Sequence, residues 1–160
     1  MITLLDNTVL SNFAIIAHPD WIRLALGDTA ATVEETSAEF QRGVQLGRLP
    51  SGDWSWLNVL QLNDAERATY EQLRARLNAG EAACLAMAAA RGYRVFTDDR
   101  DAREMALQMQ VPISGTLGLL ARLVQQNHLS LEQANDALRQ MIVAGYRTPI
   151  SDLRELFPRV

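Results

Sequence analysis

Asp6, Glu39, Glu81, Asp98, Asp99 and Asp101 are the residues with chemistry to offer, because each falls where a predicted strand ends or a predicted helix begins. In a parallel α/β sheet such positions converge on one edge, where ligand sites form. Carboxylates gathered there repel one another unless a cation or protons separate them, and their hard oxygen donors suit Mg²⁺ or Mn²⁺. The chemistry this favours is phosphodiester hydrolysis. One or two carboxylate-held divalent ions supply a hydroxide at neutral pH and offset charge on the phosphate oxygens, so no protein nucleophile is needed. Asp6 follows Ile2-Thr3-Leu4-Leu5 directly, a place beside the core where an ionised group carries a desolvation cost. Asp98-Asp99 sets like charges side by side at a strand end. Glu81 and Asp101 also suit helix N-termini through the macrodipole, whatever the protein does.

Other chemistries are pruned by what is missing. All fifteen basic residues are arginine. Without lysine there is no Schiff base and no P-loop. His18 and His128 are the two histidines and have no Cys or His at ligand spacing, so a zinc cage and a Ser-His-Asp triad lack support. Cys84 is a single cysteine on an alanine-rich stretch, which reads as core.

The elements that must position the acids follow from patterning. With 160 residues, 48% hydrophobic and 21% charged, the chain suits one domain spanning residues 1–160. No apolar stretch is long enough to cross a bilayer and the start lacks a secretory pattern, which points to the cytoplasm. Short apolar β-prone runs alternate with helical patterns, as in α/β proteins. Strands are predicted at Ile2–Leu5, Ala30–Val33, within Trp54–Leu60, at Val95–Thr97 and at Val111–Ser114. Helices are predicted from Val9, after Pro19, around Glu39 and Phe40, from the Asn63/Glu66 capping box to near Gly80, from Glu81 to Gly92, over Asp101–Met109, over Thr116–Gln126, from Ser130 to Gly145, and at Ser151–Leu156.

Four segments in this order resemble the motifs of PIN-domain nucleases. Leu4-Leu5-Asp6-Asn7-Thr8-Val9-Leu10 is similar to the first, an Asp ending strand one before a polar turn. Ala38-Glu39-Phe40-Gln41-Arg42-Gly43 resembles the second, although Glu34 or Glu35 could fill its acidic position. Gly80-Glu81-Ala82-Ala83 resembles the third and Thr97-Asp98-Asp99-Arg100-Asp101-Ala102 the fourth, with Ala102 where an aromatic is usual. Gly115-Thr116-Leu117-Gly118-Leu119-Leu120 and Ala144-Gly145-Tyr146-Arg147 extend the likeness to a bacterial PIN-like branch.

The resemblance implies a three-layer α/β/α sandwich around a central parallel sheet, and a Mg²⁺- or Mn²⁺-dependent endoribonuclease. It also implies a toxin held by a small antitoxin protein, often as a homodimer. On that reading Asp6 and Asp99 ligate metal, Glu81 ligates directly or through water, and Glu39 and Asp101 complete the catalytic set. Thr8, Thr97 and Asp98 would orient these groups or their waters. A catalytically weak PIN-like module binding RNA or protein is the alternative. The net charge of −4 argues against strong nonspecific nucleic-acid binding, so RNA contacts should be local, with Arg42, Arg48, Arg100 and Arg103 as candidates. Trp54 and Trp56 have strand spacing and read as packing.

Overall fold

The computed structural model describes residues 1–157. Its strands are β1 (Thr3–Leu5), β2 (Ala30–Val33), β3 (Asn58–Leu60), β4 (Arg94–Phe96) and β5 (Ile113–Ser114), forming one sheet in the order β3-β2-β1-β4-β5. Every pairing is parallel. The carboxyl ends of the strands therefore share one edge, with β1 in the middle.

The helices are α1 (Asn7–Ile15), α2 (Pro19–Leu26), α3 (Glu34–Gln45), α4 (Asp64–Leu73), α5 (Ala79–Arg91), α6 (Arg100–Gln108), α7 (Thr116–Gln125) and α8 (Leu131–Val143). Strand side chains alternate between faces, and the two cores follow that alternation. Leu5, Ala30 and Phe96 pack with α1, α2, α7 and α8, whereas Leu4, Ala31 and Val95 pack with α5 and α6. This is the three-layer α/β/α sandwich. Strands β1, β2 and β4 are buried on both faces, which is why they read as apolar runs, whereas β3 and β5 at the sheet edges are more exposed.

Helix α5 is buried continuously from Gly80 to Ala88. A helix apolar all round must be enclosed, and its alanines let it lie close to the sheet. Gly92, at φ 71°, ends it in the left-handed conformation that glycine adopts without strain. Among the described residues no helix is long and apolar enough to cross a membrane.

Several boundaries differ from expectation. Residues 54–57 form a turn before β3, closed by Leu57 N–H donating to Trp54 O and by the Trp56 indole donating to Asp53 O. Trp54 lies edge-on to Phe40 and stacked near Trp56, so the pair packs from a turn and not from a strand. The last predicted helix is a short 3-10 turn at Leu153–Leu156, capped by Asp152. Helix α3 begins at Glu34, which puts Glu39 in its second turn and not at its start. Helix α5 begins at Ala79 with Asn78 as its cap, so Glu81 lies three residues inside the capping box.

Candidate active site

Asp6 ends β1 and caps α1. Its Oδ1 accepts from the Thr8 amide at 2.9 Å, from the Val9 amide at 3.3 Å and from the Thr8 hydroxyl, while Oδ2 accepts from the Thr97 hydroxyl. The residue is 1% exposed. Burial pushes its carboxyl from 3.8 up to about 7; the Thr8 and Thr97 hydrogen bonds pull against that rise and the neighbouring Asp98 adds to it.

The β4 end supplies the adjacent pair, since Leu5 and Phe96 are register partners. Asp98 and Asp99 point to different places. Asp99 caps α6, its Oδ2 accepting from the Ala102 amide at 2.9 Å. Asp98 turns beneath the start of α7. Its Oδ1 accepts from the Thr116 amide at 2.8 Å, and its Oδ2 accepts from the Thr116 hydroxyl and from Asn12 Nδ2 at 3.1 Å. The Asp98 amide in turn donates to the Thr8 hydroxyl at 2.9 Å, linking it to Asp6. Gly115 makes this possible, because a Cβ there would run into Asp98 Oδ1 and lie 3.0 Å from Thr97 O.

Glu81 is 8% exposed, with Oε2 accepting from the Asn78 amide at 3.2 Å and Oε1 from Asn78 Nδ2 at 2.9 Å. Burial first, then the charge of Asp99, raises its carboxyl to about 7, and Glu39 and Asp101 push in the same direction. The four acids thus share one field. Glu39 Oε1 accepts from Asn7 Nδ2 at 3.4 Å, and Oε2 lies against Gly80, where an added Cβ would sit 3.3 Å away. Burial raises this carboxyl too. Glu34 instead accepts from Gln61, and Glu35 faces Arg67 at 4.0 Å, on the α4 side. Asp101 is exposed in the first turn of α6.

None of the acids on this edge forms an ion pair among the described residues. Arg103 comes nearest, but its Nη1 donates to Thr97 O at 2.9 Å. Arg100 pairs with Glu104, while Arg42 and Arg48 are exposed in the last turn of α3 and the loop beyond it. Three contributors escaped sequence reading. Asn12 and Thr116 hold Asp98, and Asn78 holds Glu81. The Asn-x-x-Glu spacing at Asn78-Ala79-Gly80-Glu81 carried the last signal, and a buried asparagine on the apolar helix α1 carried the first.

A family model described as DUF3368, a PIN domain, matches residues 2–160. The chain belongs to this PIN-domain family. PIN domains are generally nucleases and typically use divalent metal ions. No curated protein matches the chain at a significant level. The donor set of this PIN domain is chemically right for such an ion, being all carboxylate and short of balancing charge. In the geometry observed, however, no three His, Cys, Asp or Glu side chains among the described residues come together closely enough to hold one. Glu81 and Asp99 are turned back onto their own helix caps, which spreads the acids along the edge.

Proposed function

We propose that this PIN domain is a divalent-metal-dependent endoribonuclease, using Mg²⁺ or Mn²⁺, and the toxin of a toxin–antitoxin pair. The observation that carries the reading is Asp6. A carboxylate this buried, raised to about 7 and set beside further acids without a paired cation, is costly to keep unless it serves a ligand. Asp6, Asp99 and Glu81 would hold the ion, with Glu39 and Asp101 bordering it. A bound divalent ion supplies Lewis acidity and charge compensation there. The chain's own groups do the rest. Thr8 and Thr97 fix both oxygens of Asp6, and Glu39 Oε2, which accepts no hydrogen bond among the described residues, is open to receive a proton from an attacking water. The toxin role, a small antitoxin partner and a homodimeric state rest on the likeness to toxin-type PIN proteins.

Purified protein should cut RNA in Mn²⁺ or Mg²⁺, leaving 5′-phosphate and 3′-hydroxyl ends, and EDTA should stop it. A 2′,3′-cyclic phosphate product would sink the mechanism, because it requires attack by the RNA's own 2′-hydroxyl. One observation favours a second reading, a catalytically weak module that binds RNA or protein. Glu81 and Asp99 are engaged in caps, and no three acids converge among the described residues, so metal binding calls for a rearrangement of the edge. Absence of cleavage across transfer, ribosomal and messenger RNA, with folded protein and bound metal, would decide for that module.

A further inference from the structure

Between α6, the start of α7 and the segment after α8 lies a cavity of about 640 Å³, within the range of roughly 300–1,000 Å³ typical of ligand pockets. Arg100, Arg103 and Arg147 line its polar side, and Leu107, Leu117 and Tyr146 its apolar side. Arg103 and Arg147 form no ion pair among the described residues, and Arg100 has only the exposed partner Glu104. Asp98 and Glu104 also belong to the lining, so its three arginines exceed its acids by one, on a chain whose net charge is −4. Leu107 is 72% exposed, an apolar surface without a partner. The Tyr146 hydroxyl is engaged by Asp98 at 3.4 Å, which leaves its ring to act as a wall.

We propose that this cavity seats the RNA strand, with a backbone phosphate on Arg103 and Arg147 and a base against Leu107 and Tyr146. The proposal rests on the endoribonuclease reading and names the path its substrate takes. Arginine with an apolar or aromatic face is the combination that binds single strands without reading sequence. RNA is favoured over an acidic protein segment by position. Asp98 belongs to the cavity lining and the neighbouring Asp99 to the acidic edge, so the cavity adjoins that edge. Arg42 and Arg48 do not line this cavity.

The test is fluorescence anisotropy of a short labelled single-stranded RNA with the full chain in EDTA, over a range of salt. Arg103→Gln and Arg147→Gln should each weaken binding about fivefold at low salt and reduce the slope of log K against log salt by about one. Leu107→Glu, at an exposed position that folding does not depend on, should weaken binding as well. Arg23→Gln and Arg139→Gln, exposed and outside the lining, should match wild type. Equal losses at all four arginines, or unchanged binding by Arg147→Gln and Leu107→Glu, would overturn the proposal. So would polyglutamate binding more tightly than RNA, which would assign the cavity to an acidic protein segment. Cleavage is a separate readout: RNA bound through Arg147 but never cut in Mn²⁺ fails the nuclease reading and keeps the cavity, and cleavage indifferent to Arg147 does the reverse.

Discussion

The Thr97 hydroxyl donates to Asp6 Oδ2 across the gap between β4 and β1, and Thr97 Oγ1 itself accepts from the Asp99 amide at 3.1 Å. One hydroxyl thus ties the carboxylate at one strand end to the backbone at the next. Thr97→Val keeps the shape and removes the tie. It should cost about 1–3 kcal/mol, the penalty for an unsatisfied buried group, and raise the Asp6 pKa further, since a bond that favours the charged form is lost. Thr97→Ser should restore both. Denaturant midpoints and Mn²⁺ affinity measured together check this; a valine variant with wild-type metal affinity would show that the tie is structural only.

The displaced pKa of Asp6 predicts how metal-free protein responds to pH. Its folded value, about 7, exceeds the ordinary 3.8. Between those values the native chain keeps a proton that the unfolded chain has released, so stability is complete below the lower value and drains away as pH rises through the higher one. Each unit of displacement is worth about 1.4 kcal/mol, which makes the loss a few kcal/mol at most. Glu81 adds to it with the same sign. Asp6→Asn is neutral throughout, so at pH 8 it should equal or exceed wild type in urea midpoint, with a flatter profile from pH 4 to 8. A parallel profile would place the titration elsewhere.

Metal should reverse that ranking. Mn²⁺ bound only to the folded state adds about 2.7 kcal/mol at a hundredfold excess over its dissociation constant. The gain should grow from pH 6 to 8 as protons leave Asp6 and Glu81. Thermal shifts with and without Mn²⁺ should show Asp6→Asn losing most of the gain. An equal shift in both proteins would remove Asp6 from the ligand set.

Glu81 has two duties that substitution can separate. Glu81→Gln keeps an oxygen to accept from the Asn78 amide and should fold nearly as well as wild type while losing metal affinity and cleavage. Glu81→Ala also removes the cap, costing about 1 kcal/mol more by analogy with N-cap losses. If the glutamine variant cleaves RNA normally, the residue is a cap and nothing else.

The adjacent aspartates should fail for different reasons. Asp98→Asn sets an amide donor among the donors Asn12 Nδ2, the Thr116 amide and the Thr116 hydroxyl, and should destabilise the fold by about 1–3 kcal/mol. Asp99→Asn can still cap α6 and should leave stability nearly unchanged while abolishing cleavage. On α3, Glu39→Gln should abolish cleavage, with Glu34→Gln and Glu35→Gln tolerated. Activity at matched folding is the measurement, and essential Glu35 with dispensable Glu39 would move the second acidic position.

How far these roles could be read from sequence depended on how local their causes are. The capping boxes at Asn63/Glu66 and Ser130/Gln133 need only a spacing of three and were legible, as were the doubly buried strands β1, β2 and β4. β3 falls within the expected stretch, but Trp54 and Trp56, read at strand spacing because aromatic alternation mimics a strand, lie in a turn where Trp54 packs on Phe40. The start of α3 was missed since Val33 offers no side-chain cap, leaving Glu39 without a register. That Asp98 and Asp99 point apart follows from alternation at a strand end, but the partners of Asp98, Thr116 and Asn12, are brought near only by the folded chain.

The central place of β1 also sets when the acidic edge can exist during synthesis. Asp6 is made well before Thr97, which fixes its second oxygen and lies 91 residues further along the chain. The hydrogen bonds of β1 to β4 form only once that later stretch has left the ribosome. A growing chain therefore carries Asp6 without the neighbours that give it a site until Thr97 and β4 have been made and have folded against it.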